Sequence, residues 1–389
     1  MKIVHLTDYF QPVLGYHGTF LPREHARMGH EVYVVTSDRY NPRVYPPNRH
    51  LLGESRIKGA GFFTEEGAKV WRLKTLFEIT EHPWLLGLEK KIQEIKPDIV
   101  RAVGVVSFTG IRIARLKQKI GGFKLLYDDG MTFETSRSKL RFLYHPFRWF
   151  FSDIIQKSAD GLVSSAETSR VFMHQKYGIP LERIAIIPLG ADDNYFNFDS
   201  SVRQEIRSQL SLDEKDMVFI YTGKSIPEKG PHLLIDAAIK LMKKGVPLKV
   251  LLVGGGHPPY VEEMKQEIEA EGVADSFIWH DAVPNKELYK YYSASDAAVW
   301  PYQSSISQME AMACQLPVII SDDSEVTERV SYDNGLTYRG GDPSDLARQM
   351  EKLLDPELRT KMGQNGRKLI EERLSYKVIA RQFIELVSP

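Results

Sequence analysis

The stretch Ala298-Val-Trp-Pro-Tyr-Gln-Ser-Ser-Ile-Ser-Gln-Met-Glu-Ala-Met-Ala-Cys-Gln-Leu-Pro-Val-Ile-Ile320 decides the fold. It reads as strand, loop, short helix and strand, with one acidic side chain, Glu310, near the start of the helix. Ser305 followed by Gln308 has the spacing of a capping box, in which each side chain satisfies an orphan N–H of the other residue's backbone, so the helix starts near Ile306. Pro317 has no N–H and pushes Leu316 out of the helical region, so Val318 to Ile320 run on as a strand. Glu310 then lies in the second turn of a helix about ten residues long, near an N-terminus that can face a ligand.

Outward from that stretch, short apolar runs alternate with helical patterns, the signature of parallel α/β units. Met217 to Tyr221, Lys249 to Val253, Ser276 to Trp279, Ala297 to Trp300 and Val318 to Ile320 read as the strands of one doubly wound domain. Ahead of it, Ile3 to Leu6, Val32 to Thr36, Asp98 to Ala102, Lys124 to Tyr127, Leu162 to Ser164 and Ile184 to Ile187 read as the strands of another. A chain of 389 residues exceeds what one core usually serves, ~250 to 300 residues. The polar, turn-rich run Asp192 to Ser201 is the expected linker, giving domains 1–195 and 196–375, with a last helix from about Tyr376 that returns to the first domain. Tyr40 to Gly67, with its prolines and glycines, is expected to be a long variable loop.

The composition, 42% hydrophobic and 26% charged, is that of a globular chain, and no run of about 18 apolar residues could span a bilayer. Met1 to Leu6 is too short for a signal peptide and suits a first strand, so the cytoplasm is the expected compartment. One cysteine, Cys314, excludes a disulfide framework and a thiolate zinc site. The His and Asp residues lack ligand spacing, so no metal and no bound cofactor is expected. With 51 basic and 51 acidic residues no global field favours nucleic acid, and any anion site must be local.

The strongest local anion signal is Tyr221-Thr-Gly-Lys-Ser-Ile-Pro-Glu-Lys-Gly230, a loop between a strand and a helix whose apolar face is Leu233, Leu234, Ala237, Ala238, Leu241 and Met242. Gly223 lets the chain turn, and Lys224, Lys229 and a helix N-terminus suit a diphosphate. Gly254-Gly-Gly-His257 closes the next strand, and glycines there often only make the turn. Phe277-Ile-Trp-His-Asp-Ala-Val-Pro284 is a further strand-to-loop junction. In the first half, Tyr9-Phe-Gln-Pro-Val-Leu-Gly-Tyr-His-Gly18 places Gly15 beside His17, and Asp128-Asp-Gly-Met131 ends a strand. Leu140, Leu143, Phe147, Phe150, Phe151 and Ile154 recur at helical spacing among Arg137, Lys139, Arg141 and Arg148; such a helix packs on a core or lies on an anionic membrane surface.

Glu310-Ala-Met-Ala-Cys314 followed by Leu316-Pro-Val-Ile319 resembles the sugar-nucleotide segment of the retaining glycosyltransferases of family four, whose fold is GT-B: two doubly wound Rossmann-like domains facing across a cleft. That segment usually holds a pair of glutamates. Glu310 matches the second, Tyr302 stands where the first would be, and Gln315 stands where a Gly is usual. The resemblance implies that Lys224, in place of an Arg, and Lys229 stabilise the diphosphate leaving group without a metal. It also implies that Gly15, Gly223, Gly254, Ser305, Ile306, Ser307 and Glu310 line the donor, with Val283 packed on the base. Several relatives carry an Asp-His pair here whose His contacts the donor sugar, where this chain has Gly130; either Asp128 or Asp129 orients the sugar or acceptor, or His17 fills the role, or activity is impaired. The function so implied is transfer of a sugar, with retention, from a nucleoside-diphosphate sugar to a glycan, lipid-linked or small-molecule acceptor, with at most peripheral membrane contact. A non-enzymatic nucleotide-sugar-binding subunit and a nucleotide-sugar epimerase of the same fold are the alternatives.

Overall fold

The computed structural model describes residues 1–15, 17–133, 144–302, 305–324 and 327–387. They form two compact units, Met1–Leu189 with Tyr376–Pro389, and Gly190–Ser375.

The first unit contains β1 (Lys2–Leu6), β2 (Glu31–Ser37), β3 (Gly61–Glu65), β4 (Ala68–Leu73), β5 (Thr75–Ile79), β6 (His82–Leu85), β7 (Ile99–Val103), β8 (Lys124–Asp129), β9 (Gly161–Ser164) and β10 (Ile184–Ile186). Its sheet runs β10-β9-β8-β7-β1-β2-β4-β3, parallel except for β3, and β5 and β6 form a separate two-stranded hairpin. Consecutive strand residues point to opposite faces. Val4, Val100, Leu125 and Leu162 join one core cluster with Ile92 and Ile113. Their neighbours Ile3, Ile99, Leu126 and Val163 join another with Phe20, Tyr376, Ile379 and Phe383. The helix Tyr376–Glu385 therefore completes the first unit, beside the helix His17–Arg27.

The second unit contains β11 (Val218–Thr222), β12 (Lys249–Val253), β13 (Phe277–His280), β14 (Ala297–Trp300), β15 (Val318–Ser321) and β16 (Gly335–Tyr338). All are parallel, in the order β13-β12-β11-β14-β15-β16. This is the Rossmann order, which reverses between its first and fourth strands and binds ligands outside their carboxyl ends. Here that point lies between Thr222 at the end of β11 and Trp300 at the end of β14.

Three expectations change. Tyr40 to Gly67 is not a plain loop, because it holds β3, which pairs antiparallel with β4 through Glu66 (φ 47°) and Gly67 (φ 80°). Positive φ at both central residues makes the tight hairpin turn that fits strand twist. Asp192 to Ser201 is not an open linker: Phe196 is fully buried near Tyr292, and its carbonyl accepts a 2.8 Å bond from Arg367. The basic aromatic segment forms two short helices, Tyr144–Phe150 and Ser152–Ser158. Phe147 is buried, Phe150 is 72% exposed, and Trp149, which the spacing did not single out, is 79% exposed. Arg137, Lys139, Leu140, Arg141 and Leu143 lie outside the described residues.

Candidate active site

In the second unit two glycine loops close on each other at the end of the sheet. Gly223 has φ 144° and Gly254 φ 141°, conformations that side chains rarely adopt. A Cβ on Gly254 would lie 2.1 Å from the Gly223 carbonyl oxygen, and one on Gly256 2.7 Å from that of Ser225. The bare backbones zip together: Gly223 N–H donates to Val253 O (3.0 Å), Ser225 N–H to Gly255 O (2.9 Å) and His257 N–H to Ser225 O (3.1 Å). The glycine run after β12 is thus the brace of the loop after β11. Tyr221 Oη, donating to Lys224 O at 2.8 Å, fixes the turn from the inside.

That loop leads through the tight turn Pro227–Lys229 to the helix Pro231–Lys243, with Gly230 at its N-cap (φ 66°) and Pro231 at its first position. Lys224 is exposed and Lys229 half-buried, and neither has a carboxylate partner among the described residues. Burial, and then the charge of Lys224, pull the Lys229 ammonium below its usual pKa. Two like charges held together beside a helix N-terminus favour an anion between them. Tyr302 leans over this loop; a Cβ on Gly230 would fall 2.5 Å from its ring, and its centroid is 6.3 Å from that of His232.

The helix of the opening stretch spans Ile306–Ala313, shorter than expected. Ser305 caps it, accepting from Ser307 N–H at 3.3 Å, but the reciprocal half of the capping box is missing. Gln308 instead accepts from Arg329 at 2.9 Å, and Arg329 also reaches Ser305 O at 3.1 Å. Glu310 is 1% exposed. Its Oε1 accepts a 2.8 Å bond from Asn285 Nδ2, while Oε2 is buried without a hydrogen-bond partner among the described residues. Burial pushes its carboxyl up to about 7, against the pull of Asn285 and the nearby Ser307 hydroxyl. Gln315 takes the left-handed conformation (φ 63°), which favours Gly, so this turn carries an unfavourable residue. Gln315→Gly should therefore raise stability by roughly 1 kcal/mol, or about 2–4 °C in the melting temperature. An unchanged or lower melting temperature would show that the turn is not strained.

Asn285 belongs to the loop after β13, in which Val283 is half-buried. Beside that loop a pocket of about 620 Å³ is lined by Gly254, Gly255, Lys265, Trp279, His280 and Asp281, with the Lys265 ammonium 5.5 Å from the Trp279 ring.

In the first unit Gly15 (φ 67°) ends a tight turn before the helix His17–Arg27. His17 Nε2 lies 3.3 Å from Asp128 Oδ2, and the same carboxylate takes a short bond from buried Arg101. Burial pushes Asp128 up, but Arg101 and His17 outweigh it and hold the carboxyl well below the usual range. Arg101 also donates to His5 Nδ1 (3.3 Å), His5 Nε2 meets His25 Nδ1 (3.0 Å), and His25 Nε2 meets Ala380 O (3.0 Å). A carbonyl can only accept, so each ring in this series donates from Nε2. Asp129 faces the other side of β8 and accepts from the Val105 and Met131 amides, both at 2.9 Å. Both carboxylates are thus engaged within the chain, and Arg101, Asn285 and Arg329, the partners that organise these groups, carried no motif.

Residues 202–369 match the family described as glycosyl transferases group 1, and residues 17–195 match the one described as glycosyltransferase family 4. The chain belongs to the family-four glycosyltransferases. Its two Rossmann-like units are those of the GT-B fold. It is 28% identical over 216 residues to a D-inositol 3-phosphate glycosyltransferase from Acidothermus cellulolyticus, covering 53% of this chain and 48% of that protein. Against an alpha-D-kanosaminyltransferase from Streptomyces kanamyceticus it is 26% identical over 246 residues, covering 60% and 61%. The chain thus spans about half the length of the first of these curated relatives. Among solved structures, sucrose-phosphate synthase from Thermosynechococcus elongatus superimposes with a TM-score of 0.72 at 17% identity, covering 99% of this chain and 98% of that one. Anabaena Alr3699/HepE in complex with UDP gives 0.72 at 18% identity, covering 99% of both chains. At these identities the likeness concerns the fold alone. Among the described residues no helix is long and apolar enough to cross a membrane, and no group of three or more His, Cys, Asp or Glu could hold a metal ion.

Proposed function

We propose that this family-four protein transfers a sugar from a nucleoside-diphosphate sugar to an acceptor with retention of anomeric configuration. The observation that carries the reading is the pair of ammonium groups, Lys224 and Lys229, without carboxylate partners among the described residues, at a helix N-terminus where the strand order reverses. A diphosphate seated there meets two cations and loop amides, and the same groups stabilise the charge that builds on it as the glycosidic bond breaks, in place of a metal. The nucleobase would occupy the Trp279 pocket, with Val283 beside it and Glu310 within reach of the ribose. Asp128 and Asp129 act as positioning residues on the acceptor side. The acceptor attacks from the face that the diphosphate leaves. The relatives' names, transferases acting on inositol phosphate and on other acceptors, agree with this class.

Calorimetry with nucleoside diphosphates tests the reading. Lys229→Ala should lower diphosphate affinity about 10- to 100-fold, since a charged hydrogen bond is worth roughly 1.5–3 kcal/mol, and leave the bare nucleoside nearly untouched. Equal losses for both would remove Lys229 from the phosphate site. The anomeric coupling constant of the product reads retention directly.

A further inference from the structure

The face of the first sheet covered by the helix Tyr376–Glu385 changes character along its strands. Ile3, Ile99 and Leu126 are its apolar part. Two residues further along each strand the same face carries His5, Arg101 and Asp128, all buried. Register sets them side by side, because His5 pairs with Arg101, and Arg101 with Leu126, two residues short of Asp128.

The helix meets every group around the Asp128 carboxylate with one stripe, Tyr376, Ala380 and Phe383, at helical spacing. The Tyr376 and Phe383 rings lie 5.4 and 6.0 Å from the His17 ring, and the Arg101 guanidinium lies 5.1 Å from the Phe383 ring. The Ala380 carbonyl takes the bond from His25. Hydrogen bonds carry that contact to the carboxylate in one direction only. His25 Nε2 donates to the carbonyl, so His25 Nδ1 must accept from His5 Nε2, and His5 Nδ1 from Arg101. Arg101 gives another N–H to Asp128; its Nε has no hydrogen-bond partner among the described residues, so these two bonds aim the guanidinium. Every nitrogen of the two rings is used once, and one added proton would set donor against donor. Burial keeps both rings neutral, pulling His25 down to about 4 against the Ala380 carbonyl and His5 well below its usual value.

At the other end the chain of bonds reaches the edge of solvent, where the Asp128 and His17 side chains are 10% and 14% exposed against 2% for Arg101. Both contacts of the carboxylate fall on Oδ2, and among the described residues Oδ1 has none, so Oδ1 is the atom that can take a hydroxyl of the sugar or acceptor. His17 Nδ1 is buried without a hydrogen-bond partner among the described residues, which leaves Asp128 and the two aromatic rings to aim the imidazole.

We infer that Arg101, His5 and His25 are positioning residues of the transfer reaction: with Phe383 they hold the Asp128 carboxylate and the His17 ring in one orientation, and the seating of the helix Tyr376–Glu385 sets it. The role in transfer rests on the proposed function; the hold on Asp128 does not. A face that needed only a seal would be served as well by apolar side chains, since well-packed replacements of a buried pair are often neutral. A hydrogen-bonded chain with no spare donor or acceptor instead gives the carboxylate a single place. Misplacing a reacting group's support by about 1 Å can cost roughly 100-fold in rate.

Two variants of His25 test the inference. Gln can accept from His5 and donate to the Ala380 carbonyl, whereas Leu can do neither. His25→Leu should lower kcat for transfer about tenfold or more, with KM for the sugar nucleotide within about twofold, because the second unit holds that substrate. His25→Gln should recover most of the loss. NMR of labelled histidine rings gives a readout that needs no turnover. His17 faces Asp128 from β8, Arg101 from β7 and Tyr376 from the helix, with His5 and His25 behind Arg101. Loosening Arg101 takes positive charge from beside it, so its titration midpoint should rise by about 0.5 or more in His25→Leu and hardly move in His25→Gln. Should His25→Leu not fold, Phe383→Leu, which removes only the ring beside the guanidinium, should raise the midpoint in the same way. An unmoved midpoint in the folded Leu variant overturns the inference, as does normal transfer by that variant or an equal loss of transfer in the Leu and Gln variants. If the unmodified protein transfers no sugar yet the midpoint moves as expected, the transferase reading fails and the hold on Asp128 stands.

Discussion

Glu310→Gln should leave the protein folded, make it more stable in mild alkali, and lower sugar transfer by about tenfold or more. A carboxyl that folding raises from 4.5 to about 7 binds its proton more tightly in the folded state than in the unfolded one. Its contribution is therefore fully present below about pH 4.5 and is lost as pH climbs to about 7, by roughly 3 kcal/mol at about 1.4 kcal/mol for each tenfold change in proton affinity. Gln keeps the shape and the oxygen that accepts from Asn285, and it has no charge to bury. The variant should thus outmelt the unmodified protein at pH 8 and match it near pH 4.5. Transfer should fall because a charge-assisted bond to a ligand hydroxyl is about twice as strong as a neutral one. A lower melting temperature at both pH values, with normal activity per folded molecule, would make Glu310 a purely structural residue.

The largest loss of stability is expected from Asp128→Ala. Removing that carboxylate leaves the Arg101 guanidinium, 2% exposed, without its counter-charge, and breaking a buried pair from one side costs about 3–5 kcal/mol. Spread over a unit of this size, that amounts to roughly 6–20 °C in the transition that melts the first unit. Because the Asp128 carboxyl is held below its usual range, its contribution is present above about pH 4 and fades as pH falls further, so the variant and the unmodified protein should converge in acid. The double variant Asp128→Leu with Arg101→Met should recover much of the loss, since well-packed apolar replacements of a buried pair are often neutral. A single variant that melts with the unmodified protein at pH 7 would show the pair to be dispensable.

The sequence was most legible where the period of apolar residues spoke for itself. Every strand expected from an apolar run is present, within a residue or two at its ends, because a parallel strand buried on both faces has to be apolar throughout. What escaped was short or two-sided. β3 alternates exposed with half-buried positions at a sheet edge, and β16 is four residues bracketed by turns. The site was legible as a set of loops and illegible as a network. Spacing found Lys224, Lys229 and Glu310, yet nothing in the run Val283-Pro-Asn285 signals that Asn285 will hold a carboxylate. Arg101 is read in sequence as one more residue of a strand. Its partner Asp128 lies on the adjacent strand, and register alone decides which face the two share.

The second unit is one uninterrupted length of chain, whereas the first is assembled from both sides of it. During synthesis the sheet of the first unit can form early, yet Ile3, Val32, Leu126 and Val163 lack their cover until Tyr376, Ile379 and Phe383 leave the ribosome. The His25 ring also waits for the Ala380 carbonyl. Nascent chains should therefore shield the second unit from proteases before the first, and a cell making this protein carries an open apolar face on the earliest-made half for the time taken to translate the later one.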